Sequence, residues 1–198
     1  GGGWGRRVVA GGRVIGGRPV PPLPPLGLRK VPVARRVGAR HGEQQIRIGL
    51  ELLDEDGAPL HGREVVLEAR AREATHRRTF VSGIDGSVQY FGVTPPAGNG
   101  PDPMALFLTL HGAGVDALGQ AGCYAPKQAG VVVAPTNRRP FGFDWEDWGR
   151  LDALEVLDAA RALYRVDPRR IYLTGHSMGG HGTWHLGVHY PGLFAAIA

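Results

Sequence analysis

Two uninterrupted apolar runs constrain the fold of this chain more than any other feature. Residues 105–110 are apolar except for Thr109, and residues 131–134 are Val-Val-Val-Ala, followed by Pro135. Short runs of this kind are typical of parallel strands that are buried on both faces of a sheet. The sequence therefore predicts that these two segments form the centre of a parallel sheet.

Helical segments alternate with these strands. Residues 150–165 carry leucine or alanine at every third position, which predicts a helix, and Asp167–Pro168 is expected to end it. Residues 171–174 predict a third strand, a helix follows residue 177, and residues 194–198 begin a fourth strand. This alternation predicts an α/β fold with a mostly parallel sheet covered by helices on both faces.

The segment 44–94 has the pattern of antiparallel strands. Apolar and polar residues alternate along residues 44–52 and again along residues 65–70, with Asp56 and Gly57 as a turn between them. Further strands are expected in the second half of the segment. This β-rich segment forms either a small separate domain or the edge of the next one.

Residues 1–43 are predicted to be a tail or linker. Nine of the 23 basic residues lie in residues 1–40, and no acidic residue precedes Glu43. The rest of the chain is net acidic, so a nucleic-acid partner is not expected. Arg18, Pro21 and Pro24 have the spacing that some SH3 domains recognise, which leaves a weak protein partner as the alternative to a spacer.

Composition and hydropathy exclude several classes of protein. The single cysteine, Cys123, excludes an internal disulfide framework, and no apolar run is long enough to span a membrane. No signal-peptide pattern follows the basic start. Because the chain begins with Gly1, we expect a processed or incomplete product, and the compartment stays undetermined.

The motif Gly-His-Ser-Met-Gly at residues 175–179 predicts a catalytic serine. It lies between a predicted strand and a predicted helix, where a nucleophile on a sharp turn needs small neighbours. Ser177 is the expected nucleophile. The loop at residues 111–114 follows the first central strand, so the N–H of Met178 with that of Gly112 or Ala113 is expected to form an oxyanion hole.

The residues from 171 onward resemble the α/β-hydrolase superfamily. The resemblance covers about residues 86–198 and is greatest to the catalytic domain of prolyl-oligopeptidase-family serine peptidases and their secreted esterase relatives. It rests on these features: residues 88–93 before Pro95-Pro96, residues 166–172, Gly-His-Ser-Met-Gly-Gly, Trp184, Tyr190-Pro191 and residues 194–197. It implies that residues 95–198 are the N-terminal part of a hydrolase domain acting on a peptide or ester substrate, and a peptidase is preferred over a carboxylic or feruloyl-type esterase.

The resemblance also implies what must follow the nucleophile. In this superfamily the acid and the histidine come after the serine, yet residues 178–198 contain no Asp or Glu. The acid and the His are therefore expected beyond residue 198, and the chain alone is expected to be inactive. A non-catalytic binding or scaffold module, with an inert hydrolase part, is the alternative function.

Other residues at the same sheet edge are candidates for substrate contact. His111 lies at the start of the oxyanion loop, where orienting that loop is its alternative role. Trp145 and Trp148 follow the second central strand, where packing on the helix below is their alternative role. No cofactor is implied. His181, His185 and His189 have the spacing of metal ligands, but without an accompanying Glu they are expected to be packing residues, and no metal site is assigned.

Overall fold

A computed structural model describes residues 5–10, 13–22, 24–27, 31–33 and 44–198 of the protein. The chain divides into two compact units, Gly1–Ala71 and Arg72–Ala198. The division falls within the β-rich segment 44–94, so its first two strands belong to one unit and its last two to the other.

The first unit contains an antiparallel sheet of four strands. They are β1 (Gly5–Ala10), β2 (Arg13–Pro19), β3 (Gln44–Leu53) and β4 (Pro59–Ala69), arranged in the order β2-β1-β3-β4. The alternation seen in the sequence places Ile46 and Ile48 of β3 on one face, where they are buried with Val8 of β1. These three side chains form a small core.

Strands β1 and β2 lie where the sequence predicted a tail. Strand β1 pairs with β3, and the side chains of Arg7 and Glu51, 44 positions apart, form an ion pair with an Nε–Oε2 distance of 2.6 Å. Local sequence gave no sign of this pairing because the partner strand is distant in the chain. Arg18 of the proline-rich pattern lies in β2, and Pro21 and Pro24 follow that strand. Residues 1–4, 11–12, 23, 28–30 and 34–43 of the predicted tail lie outside the described residues.

The second unit contains a mixed sheet of six strands. They are β5 (His76–Val81), β6 (Val88–Thr94), β7 (Met104–Leu110), β8 (Gly130–Ala134), β9 (Val166–Gly175) and β10 (Ala196–Ile197), in the order β10-β9-β7-β8-β6-β5. The first four in this order are parallel, and β6 and β5 are antiparallel to their neighbours. Every residue of β8 is buried, as its apolar run predicted. The mostly parallel sheet is therefore confirmed.

Three helices connect these strands: α1 (Ala117–Gly122), α2 (Asp147–Leu163) and α3 (Met178–His189). The sequence predicted α2 and α3 but not α1, whose six residues include two glycines. Its first turn is stabilised by Asp116, whose Oδ1 accepts a hydrogen bond from the Gly119 amide at 2.7 Å. Helix α2 ends at Leu163. The prediction that Asp167–Pro168 ends this helix was wrong, because both residues lie within β9. Among the described residues, no helix is long and apolar enough to cross a membrane.

Candidate active site

Ser177 lies on the sharp turn between β9 and α3. Its backbone has φ 55° and ψ −118°, a conformation that residues with a Cβ rarely adopt, and the residue is exposed. Two hydrogen bonds hold the turn: the His176 amide donates to the Leu110 carbonyl at 3.3 Å, and the Gly179 amide donates to the His176 carbonyl at 2.9 Å. Strain of this kind persists only where the surrounding structure imposes it, and it concentrates at functional sites.

The two glycines of the motif are explained by close backbone contacts. A Cβ at Gly175 would lie 2.0 Å from the carbonyl oxygen of Gly179, and a Cβ at Gly179 would lie 2.0 Å from the carbonyl oxygen of Leu110. No side chain fits at either distance, so the start of α3 can approach β7 and β9 only because both positions are glycine. The tight turn predicted from the sequence is therefore present.

Backbone N–H groups without an acceptor lie beside Ser177. Among the described residues, the amides of Met178, Gly112 and Ala113 donate to no protein acceptor. Gly112 lies against the turn, since a Cβ built on it would be 3.4 Å from the Cβ of Ser177. Met178 begins α3, so its amide also carries the positive end of the helix dipole. These N–H groups can donate hydrogen bonds to a negatively charged oxygen next to the serine hydroxyl.

The structure places His111 and Trp145 in the interior, and neither can contact a substrate at the surface as predicted. His111 is fully buried, with Nδ1 2.9 Å from the Gly112 carbonyl oxygen and Nε2 3.0 Å from the Thr136 carbonyl oxygen. Trp145 is also fully buried and donates from Nε1 to the His111 carbonyl at 3.1 Å. Its aromatic ring fills space between the loop and α3, because a Cβ at Gly182 would lie 2.4 Å from it. Both side chains therefore position the 111–114 loop.

Trp148 remains available at the surface. It is 36% exposed, and the guanidinium of Arg138 lies 5.6 Å from the centre of its ring. Contact between Trp148 and a substrate therefore stays a prediction.

The three histidines of α3 form a row along one face of the helix. The rings of His181 and His185 are 6.1 Å apart, and those of His185 and His189 are 4.3 Å apart. His181 Nε2 lies 3.0 Å from Oε1 of Glu146, and partial burial lowers the pKa of His185, with a smaller effect from the neighbouring His189. In the described part of the chain, no group of three or more His, Cys, Asp or Glu side chains is arranged to hold a metal ion.

An ionic network that sequence reasoning missed lies at the same edge of the sheet. Arg138 Nη2 is 2.7 Å from Oε2 of Glu155, and Arg138 Nε is 3.2 Å from Oδ1 of the fully buried Asp152. Burial raises the pKa of Asp152, although two hydrogen bonds from Thr136 to its Oδ2, at 2.9 Å and 3.0 Å, favour the carboxylate. Asp152 points inward from α2, where Thr136 donates to its Oδ2, while its Oδ1 lies beside Arg138 and accepts no hydrogen bond among the described residues. The i, i+3 spacing of Asp152 and Glu155 places both carboxylates on one face of the helix, and this was the sequence feature that could have indicated the network.

Removing Glu155 is expected to destabilise this unit. The Glu155→Ala variant leaves the Arg138 guanidinium, whose side chain is 8% exposed, without its shortest ion pair. It also removes the acceptor for the Ser82 hydroxyl and the Gly83 amide. We expect a loss of about 3 kcal/mol in the free energy of unfolding, measured by urea denaturation. Asp158→Ala is the matched control, because the Asp158 side chain is 80% exposed; equal effects of the two variants would contradict a stabilising network.

One family model matches the C-terminal part of the chain. Residues 118–198 match the model of the family described as "Putative esterase". A search of curated protein sequences gives no match.

Similarity to solved structures identifies the fold of this chain. A thermostable esterase is 22% identical, with a TM-score of 0.50, and the match covers 77% of this chain and 49% of that one. The fluorophosphonate-binding serine hydrolase F of Staphylococcus aureus is 20% identical, with a TM-score of 0.54 and coverage of 63% and 55%. An S-formylglutathione hydrolase from Agrobacterium tumefaciens is 20% identical, with a TM-score of 0.50 and coverage of 62% and 56%. The chain has the α/β-hydrolase fold, as predicted, and it spans about half the length of these proteins.

Proposed function

We propose that the protein is a serine hydrolase that cleaves carboxylic esters, with Ser177 as its nucleophile. The observation that carries this proposal is the strained backbone of Ser177, which exposes the residue beside the free amides of Met178 and Gly112. The match of residues 118–198 to an esterase family supports it independently.

Each part of the site has a distinct role in this reaction. The Ser177 hydroxyl oxygen attacks the carbonyl carbon of the ester, and the carbonyl oxygen becomes negatively charged. The N–H of Met178, with that of Gly112 or Ala113, donates hydrogen bonds to this oxygen. One such donor is worth about 100- to 1,000-fold in kcat in acyl-transfer enzymes. These donors are backbone groups, so they need no reorganisation during the reaction.

The general base and its carboxylate partner are proposed to lie in sequence after residue 198. A serine hydroxyl needs a histidine to take its proton, and that histidine needs an acid to orient it. Residues 178–198 contain neither Asp nor Glu, and His111 is buried with both ring nitrogens beside carbonyl oxygens. The chain spans about half of the compared hydrolases, which leaves room for both groups elsewhere. Residues 1–198 alone are then expected to be inactive.

Ester cleavage is preferred to peptide cleavage because the matched family is one of esterases. The peptidase subtype, predicted from the resemblance to prolyl oligopeptidases, remains the second candidate for the same serine. We expect the protein extended beyond residue 198 to hydrolyse p-nitrophenyl acetate much faster than a short peptide p-nitroanilide. The measurement is kcat/KM for the two substrates; a higher value for the anilide would make the protein a peptidase.

A fluorophosphonate probe tests the nucleophile directly. Such probes react with activated serine hydroxyls, so the labelled peptide found by mass spectrometry is expected to contain Ser177. The probe is applied to the extended protein, and heat-denatured protein is the control for non-specific reaction. Labelling at another serine would overturn the assignment, and an absence of any labelling would favour the scaffold alternative.

A further inference from the structure

A cavity beside the candidate active site carries an inference about the substrate. It has a volume of about 200 Å³, and its lining includes Tyr90, Asp116, Thr136, Arg138 and Arg139. Asp116 follows β7, and Thr136, Arg138 and Arg139 follow β8. The cavity therefore opens at the carboxyl edge of the parallel strands. Ligands of open α/β sheets bind at this edge.

The charges around the cavity leave one cation without a partner. Asp116 is paired with Arg77 at 3.1 Å. Arg138 is paired with three carboxylates, those of Glu155, Asp152 and Asp85, at 2.7 Å, 3.2 Å and 3.7 Å. Arg139 is exposed and has no carboxylate within 4.0 Å among the described residues. Among the described residues of the cavity wall, Arg139 is therefore the cation that remains available to a ligand group with a negative charge.

Arg139 is held in place for such a role. Its guanidinium carbon lies 4.8 Å from the centre of the Phe143 ring, and its carbonyl accepts a hydrogen bond from the Gly142 amide at 3.0 Å. Stacking on an aromatic ring leaves the edge of a guanidinium free to donate to a carboxylate. Tyr90, whose ring centre lies 5.0 Å from the guanidinium carbon of Arg77, also lines the cavity, and its hydroxyl can act as a second donor.

The oxyanion loop connects this cavity to Ser177. The Gly114 amide donates to the carbonyl of Pro140, which lines the cavity, at 3.1 Å, while Gly112 at the other end of the loop lies against Ser177. Ser177 follows β9, and β8 is two strands away in the order β9-β7-β8. Since neighbouring strands are about 4.8 Å apart, the ends of β9 and β8, which lead to Ser177 and to the cavity, are about 10 Å apart.

We propose that this cavity binds a carboxylate carried by the substrate about 10 Å from the ester bond that is cleaved, with Arg139 as its main partner. The proposal rests on the hydrolase function proposed above. It assigns the protein to monoesters of dicarboxylic acids, or to other acids of comparable length, in preference to neutral esters.

The test compares two esters that differ only at the end of the acyl chain, which carries a carboxylate in one ester and a methyl group in the other. In the extended protein, kcat/KM for the mono-p-nitrophenyl ester of octanedioic acid is expected to exceed that for p-nitrophenyl octanoate by about 10-fold. Arg139→Gln is expected to abolish this ratio, and Arg139→Lys to retain part of it. Because the result is a ratio, general loss of folded protein does not change it. Arg161→Gln removes the same charge near the other end of α2 and should leave the ratio intact.

Binding separates this inference from the proposed function. Calorimetric titration with octanedioate is expected to show binding to the wild-type protein that Arg139→Gln weakens about 10-fold. If neither ester is hydrolysed, the proposed hydrolase function fails and the titration still decides whether the cavity binds a carboxylate. If octanoate is cleaved without any preference for the carboxylate ester, or octanedioate binds equally to both variants, the inference is overturned.

Discussion

The Ser177→Ala variant of the extended protein is expected to lose at least about 1,000-fold in kcat/KM for p-nitrophenyl acetate. Alanine removes the hydroxyl that we propose as the nucleophile while leaving the N–H groups of Met178 and Gly112 in place. In hydrolases built this way, oxyanion donors and substrate binding alone retain only a small residual rate. Steady-state hydrolysis measured with wild-type and variant proteins at equal concentration gives the ratio.

A second variant separates the chemistry from the fold. Ser177→Gly removes the hydroxyl as well, but glycine accepts φ 55° without strain. We therefore expect the same loss of activity together with a gain of about 1 kcal/mol in the free energy of unfolding, measured by urea denaturation. Retention of more than about a tenth of the activity in either variant would mean that another residue is the nucleophile.

Much of the second unit, residues 72–198, was predictable from local sequence patterns. The apolar run that became β8 is buried at every position, and the glycines around Ser177 correspond to backbone contacts of 2.0 Å. The run in β8 follows from coverage of both faces of the strand, and the Gly-x-Ser-x-Gly motif marks the turn within five residues, although the contact of Gly179 is with Leu110 of β7. Local patterns are sufficient in such cases.

The remaining features depend on partners distant in the sequence. For Trp145 the sequence left two roles open, lining a pocket or packing on the helix below, and the structure has it in the interior against His111, which lies 34 positions earlier. Asp152 is fully buried although it is charged, and Arg138 and Thr136 supply its partners inside. Burying a polar group is tolerated where hydrogen bonds or charges satisfy it, and those partners cannot be read from the local pattern.

The Gly179→Ala variant is expected to lose about 3 kcal/mol in the free energy of unfolding. The added methyl group would lie 2.0 Å from the Leu110 carbonyl oxygen, so α3 must move away from β7. That movement also displaces Ser177 from Gly112, because the His176–Leu110 hydrogen bond joins the same two elements. We therefore expect the rate at which a fluorophosphonate probe labels Ser177 in the extended protein to fall together with the free energy of unfolding.

The adjacent glycine provides the control for this prediction. A Cβ at Gly180 would be 3.8 Å from its nearest neighbour, the Gly175 carbonyl oxygen, which is an ordinary contact distance. Gly180→Ala is therefore expected to stabilise α3 by about 0.5 kcal/mol, since alanine restricts the unfolded chain more than glycine does. Both variants add one methyl group to the first turn of the same helix, so only the steric contact with Leu110 distinguishes them. Equal stabilities and equal labelling rates would show that the start of α3 does not approach β7 as closely as described, and the strained position of Ser177 would then lose its structural basis.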